Sequence, residues 1–234
     1  MSETRKKTAA IILAGGNGSR MGGNNVKQNL IIMGESVLMR SAFAFDECPY
    51  IDSVIAVVRK EDVEDSQRML SGRIKKLKAV VAGGGCRAES AVIGFSAIEK
   101  DVELIAIHDA ARCLITPNMI SKVVKKAMVT GAATAASSIT DTVKRVSDGR
   151  IACTENRLEL VSAQTPQVFD RSLYERALDS FRGNLEDITD DNMLLEAIGA
   201  PISIVDTGKE NIKITTPEDF EYAEYLLRRR ALCD

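Results

Sequence analysis

The sequence has no tryptophan, a single histidine and few aromatic residues of any kind, 4% of 234. A surface that grips nucleic acid by stacking bases on rings needs more of them. An excess of either charge is also missing, since 31 Lys and Arg against 33 Asp and Glu leave a net −2. Nothing in that balance points to a nucleic-acid surface, although charge can still gather in a cleft. The apolar runs are far too short to cross a bilayer, and Met1 to Lys7 lacks the apolar core of a secretory signal. A soluble, cytoplasmic protein with no membrane partner is expected. Cys48, Cys86, Cys113, Cys153 and Cys233 are odd in number and never spaced C-x-x-C, which excludes a disulfide framework and a zinc site of the usual kinds. There is no internal repeat, low-complexity tract or Pro/Ser-rich linker, and the length suits one large domain with a sizeable core.

What is present is alternation. Short β-rich runs at Ala9–Ala14, Ser53–Val58, Lys78–Ala82, Glu103–His108, Ala132–Ser137 and Pro201–Asp206 are nearly continuous in apolar residues, as strands of a parallel sheet covered on both faces should be. Amphipathic stretches separate them: Ser36–Phe45, Asp62–Leu70, Arg87–Ile98, Pro117–Met128, Ser172–Phe181 and Pro217–Leu227. "TPNM" and "TPED" each offer a Thr N-cap with Pro at the first helical position. The pattern predicts an α/β fold with a doubly wound, mostly parallel sheet. Thr140–Arg157 breaks the rhythm. It alternates around "SDGR", a hairpin turn. An isolated hairpin is marginal in water, so this inserted β-arm is expected to lean on the parent domain or on a second copy of the chain, the second being favoured.

The first strand leaves through "LAGGNGSRMGGNNVKQN", Leu13–Asn29, with five glycines, Arg20 and Lys27. It is not a P-loop, because the Gly-Lys pair is missing. It is not a dinucleotide fingerprint either, because Met21 stands where a third glycine belongs. It still sits where open α/β sheets bind ligands, and bare backbone amides beside two cations suit phosphoryl oxygens. A second cluster, "VVAGGGCRAES", fits G-x-G-x-x-A through Gly83, Gly85 and Ala88. That match is weak in a third strand–helix unit. Asp109 follows a strand in "IAIHDAAR", where a carboxylate can hold ribose hydroxyls, bind a metal or cap a helix.

"LAGGNGSRM" with "KQ" resembles the signature of sugar-phosphate nucleotidyltransferases. Together with "HDAAR", "QTPQVF" and "NIKITTPED", in this order, it resembles the 2-C-methyl-D-erythritol 4-phosphate cytidylyltransferase family of the non-mevalonate isoprenoid pathway, from about Thr8 to about Leu227. The resemblance implies a Rossmann-like nucleotidyltransferase that joins CTP to a sugar-alcohol phosphate and releases pyrophosphate. It implies that Arg20 and Lys27 are catalytic, stabilising the α-phosphoryl group, and that Ala14, Gly15, Gly16 and Gly18 lie along CTP. Gly84, Gly85 and Ser90 would flank the cytosine, with Arg87 close by, and Asp109 and Ala110 would complete the nucleotide site. Arg112, Asp141, Thr142, Arg157, Thr189 and Lys213 would bind the acceptor, Asp141 and Thr142 from a neighbouring subunit of a homodimer. Mg²⁺ would bridge triphosphate oxygens, with Asp109 the one possible protein ligand. His108 is assigned a structural role, since an anionic phosphate needs no base. Three departures are Gly85, where many members carry an acidic residue, Val26 and Cys113, where proline is usual. Ribitol 5-phosphate cytidylyltransferases share the glycine loop and "NIKITTP", so the acceptor has an alternative. A non-catalytic nucleotide-binding protein would be the reading if the departures abolished turnover.

Overall fold

The computed structural model describes residues 5–16 and 30–232. Its elements are β1 (Thr8–Ala14), β2 (Ile31–Ile32), β3 (Glu35–Ser36), α1 (Val37–Glu47), β4 (Ser53–Val58), α2 (Val63–Leu70), β5 (Leu77–Ala82), α3 (Arg87–Ser96), β6 (Leu104–Asp109), α4 (Pro117–Thr130), β7 (Ala132–Ser138), β8 (Lys144–Ser147), β9 (Arg150–Thr154), β10 (Val161–Asp170), α5 (Arg171–Ser180), α6 (Asn192–Ala197), β11 (Ser203–Asp206) and α7 (Pro217–Ala231). One seven-stranded sheet runs in the order β11-β7-β10-β6-β1-β4-β5.

β1 is buried along its whole length between β4 and β6, parallel to both. Its side chains divide by parity. Ala10, Ile12 and Ala14 join Leu38, Phe45 and Val124 on one face, while Ala9, Ile11 and Leu13 join Ala91, Phe95 and Tyr174 on the other. Two cores therefore flank the sheet, and this is why its strands read as unbroken apolar runs. On the second face α3 lies so close that a Cβ on Gly94 would stand 2.5 Å from Ile11 Cγ2 and 2.8 Å from Val57 Cγ2. This close approach fixes where the first turn of α3, with Arg87 and Ser90, meets the sheet.

Both Thr–Pro helix starts form as expected. The Thr116 hydroxyl accepts from Met119 N, and Thr216 makes a reciprocal capping box with Asp219. The "SDGR" turn takes positive φ at both central residues, 51° at Asp148 and 74° at Gly149, as a two-residue hairpin requires. Every residue of β8 and β9 is exposed, so the arm gains no cover from its own chain.

Four elements were not expected: the two-residue strands β2 and β3, α6 and β10. α6 is a short helix of six residues. β10 is ten residues long and enters the sheet antiparallel to both β6 and β7, so the sheet is mixed at its centre. Its sequence, "VSAQTPQVFD", carries a proline and two glutamines and lacks the apolar continuity of its neighbours. The proline is tolerated because the ladder with β7 breaks between Ala163 and Gln167. The intervening Gln164, Thr165 and Pro166 bulge out of register, and their side chains are free for other work.

Candidate active site

The carboxyl ends of β1, β5 and β6 open on one cleft, the usual ligand position in such sheets. At its floor Asp109, the last residue of β6, is 7% exposed. Arg87 Nε donates to its Oδ1 at 3.0 Å and Lys213 Nζ donates to its Oδ2 at 2.6 Å. The Arg87 guanidinium also reaches the fully buried Asp191, with Nη1 2.7 Å from Oδ2. The Tyr174 hydroxyl donates to the other oxygen of Asp191 at 3.0 Å. Two buried carboxylates thus share one guanidinium, and Lys213 closes the chain on the solvent side. Burial on its own would raise the Asp109 pKa, but the Arg87 guanidinium and the Lys213 ammonium more than reverse this and hold it well below the usual carboxylate range. Burial would likewise weaken Arg87 as a base, yet Asp191 and Asp109 keep it firmly protonated.

The β10 bulge holds the surrounding loops. Thr165 Oγ1 accepts the Asp109 amide at 3.1 Å and meets His108 Nδ1 at 3.0 Å. Gln164 Oε1 accepts from Asn211 Nδ2 at 3.0 Å and from Thr207 Oγ1 at 2.8 Å. Gln167 Oε1 accepts the Asp191 amide at 2.8 Å, while its Nε2 donates to Asp190 at 2.7 Å. The Lys213 loop is pinned on either side, since Ile214 N donates to Ala111 O and Arg112 Nη1 donates to Asn211 O. His108 is fully buried against Phe45, and burial pushes its pKa down to about 3. A neutral ring deep in the floor has the structural role expected of it.

Of the residues singled out by sequence, Asp109 and Lys213 meet directly. Ala14 and Ala110 are buried at the strand ends, and Ala110 N donates to Leu13 O at 2.9 Å. Gly84 and Gly85 are exposed on the lip, over the buried Ser90, whose Oγ accepts from Gly84 N at 3.1 Å. Gly15 adjoins them: a Cβ there would lie 3.8 Å from Ser90 Oγ. Gly16 is exposed, while Gly18, Arg20, Val26 and Lys27 lie outside the described residues. Asp109 does not cap a helix, for a turn follows it and α4 is capped by Thr116. Arg112 is half-buried, with its Nε unpaired among the described residues. Arg157 is exposed and bonds the Thr140 carbonyl at 2.6 Å, at the root of the arm, rather than Asp109. Asp141 and Thr142 are exposed beside it. Thr189 caps nothing; its hydroxyl meets Met193 Sδ at 3.2 Å, and α6 starts after Asp191. Cys86 caps α3, and burial pushes the Cys113 thiol up to about 11, too high for a nucleophile.

A model of the 2-C-methyl-D-erythritol 4-phosphate cytidylyltransferase family matches residues 8–229. The chain belongs to that family. A cytidylyltransferase of this name from Desulforamulus reducens is 40% identical over 94% of this chain and 96% of its own length. Another from Symbiobacterium thermophilum is 38% identical over 95% and 94%. The crystal structure of 4-diphosphocytidyl-2C-methyl-D-erythritol synthase from Anaerococcus prevotii superposes with a TM-score of 0.81 at 30% identity, covering 95% of this chain and 96% of that one. The cytidylyltransferase fold is thus the α/β, Rossmann-like sheet described above. Sequence reasoning named Arg87 only in passing and missed Asp191, Thr165 and Gln167. Asp191 stood two residues from Thr189, but a buried acid and a surface acid look alike in a sequence.

Proposed function

We propose that this chain transfers the cytidylyl group of CTP to 2-C-methyl-D-erythritol 4-phosphate, giving 4-diphosphocytidyl-2-C-methyl-D-erythritol and pyrophosphate. The observation that carries the reading is the Asp109–Lys213 pair, set on buried supports at the carboxyl end of β6. A phosphate oxygen of the acceptor forms a bond to the α-phosphorus, and the bond from that phosphorus to the bridging oxygen breaks as pyrophosphate leaves. The attacking oxygen is already anionic, so the protein supplies position and charge. Lys213 commits one of its three protons to Asp109 and keeps the others for the acceptor phosphate. Asp109 retains lone pairs for a ribose hydroxyl. Arg112 and Arg157 are assigned to the acceptor, and Arg20 and Lys27 to the α-phosphoryl oxygens.

Magnesium is part of the proposal. Both Asp109 oxygens are occupied by cations, and the described residues contain no cluster of three His, Cys, Asp or Glu. The donor set therefore fits an ion carried on triphosphate oxygens better than one caged by protein. When bound there it would neutralise charge on the departing pyrophosphate. Purified protein with CTP, Mg²⁺ and methylerythritol phosphate should release pyrophosphate, faster than with ribitol 5-phosphate in a parallel assay. Silence with both acceptors would overturn the reading, and a preference for ribitol 5-phosphate would change the acceptor.

The arm supports a homodimer. Val146 and Ile151 on its strands and Leu158 just beyond are 60%, 66% and 89% exposed, a cost that a second copy would relieve. Light scattering should give twice the mass of one chain, and removal of residues 143–155 should give monomers with little activity. A fully active wild-type monomer would refute this.

A further inference from the structure

We propose that Glu89 selects the base: its carboxylate accepts the exocyclic amino group of cytosine and repels the carbonyl that uracil presents at the same position. The proposal rests on the reading above, in which cytosine lies against Gly84, Gly85 and Ser90. Glu89 is in the first turn of α3, and its side chain folds back over the glycine turn so that Oε2 accepts from Gly85 N at 2.7 Å. The space it occupies exists because the turn is bare. A Cβ on Gly84 would fall 2.3 Å from Glu89 Cδ and 2.5 Å from Oε2. Its other oxygen, Oε1, has no partner among the described residues, and the residue is exposed.

Charge decides what such a group can be for. A free carboxylate beside a triphosphate is repulsive unless a cation neutralises it. Arg87, two residues before it, is turned inward to Asp109 and Asp191, and no ion pair reaches Glu89 among the described residues. With Arg20, Lys27 and the metal assigned above to the phosphates, an unpaired carboxylate suits the base end of the nucleotide. There cytosine offers N–H donors, and uracil, equal in shape, offers an oxygen. Gly85 has no side chain to make this distinction, and Glu89 places a carboxylate directly on its amide. The Cys86 sulfur takes the Glu89 amide at 3.4 Å, so one Glu89 oxygen completes a capping arrangement at the start of α3, and the other, Oε1, is left for a ligand.

The test is kcat/KM for CTP and for UTP at saturating methylerythritol phosphate, in wild type, Glu89→Gln and Glu89→Ala. Wild type should prefer CTP, and the preference should fall about tenfold or more in Glu89→Gln, whose amide can turn an N–H to uracil. In Glu89→Ala it should fall through loss of CTP turnover. An unchanged ratio in both variants would overturn the proposal, even with a lowered melting temperature, since that is the mark of a cap. A wild type that uses both nucleotides equally would overturn it as well. A wild type inactive with either would instead defeat the functional reading on which it depends.

Discussion

Asp109→Asn lowers kcat/KM by about 10²–10³-fold, equivalent to about 3–4 kcal/mol of lost transition-state stabilisation. The substitution keeps the shape and deletes the charge. In place of one oxygen it puts an amide donor against Arg87 Nε or Lys213 Nζ, which are donors themselves. One of the two contacts must break. Arg87 is held from behind by Asp191, and Lys213 is half-exposed, so Lys213 is the partner released. A lysine free to wander would no longer present its ammonium to the acceptor phosphate, the role proposed for it above. The loss should fall on kcat and on KM for methylerythritol phosphate, and a companion Lys213→Met variant should reproduce most of it. Steady-state kinetics on the pair, and on the double variant, provide the check. A drop of less than about threefold in Asp109→Asn would remove the pair from the reaction.

Asp191→Ala has its largest effect on stability, reducing the unfolding free energy by about 3–5 kcal/mol. Asp191 is fully buried, and its oxygens receive the Arg87 guanidinium and the Tyr174 hydroxyl. Truncation leaves a buried cation with half its counter-charge and a buried hydroxyl with no acceptor. Asp191→Asn, which can still accept one hydrogen bond, should lose less. Urea unfolding of the three proteins measures the difference. A loss under about 1 kcal/mol would mean that Arg87 finds another counter-charge when Asp191 is gone.

Much of the fold was legible because its causes are local. A strand covered on both faces shows itself as an apolar run, a Thr–Pro pair before an amphipathic stretch marks a helix start, and Asp-Gly between alternating residues marks a hairpin. β10 escaped because its polar side chains serve the cleft instead of the core: Gln164, Thr165 and Gln167 each hold a different loop. The site was legible only in part for the same reason. Motif resemblance drew attention to Asp109 and Lys213, but their contact spans 104 residues, and no periodicity reports such a meeting. Arg87 and Asp191, also 104 apart, carry charges that a sequence would assign to the surface. Only the folded chain shows that they are enclosed, and that Glu89 rather than Gly85 brings a carboxylate to the lip.

The place of β10 in the sheet has a consequence for biosynthesis. β6 and β7 are complete by residue 138, yet the strand that joins them begins only at Val161. A nascent chain released before that point would expose two raw strand borders in the middle of its sheet, each a template for pairing with another molecule. Lys213 arrives later still. The ribosome must therefore deliver Val161–Asp170 before the sheet closes and Lys213 before the cleft works, and stops ahead of Val161 should yield inclusion bodies rather than weak enzymes.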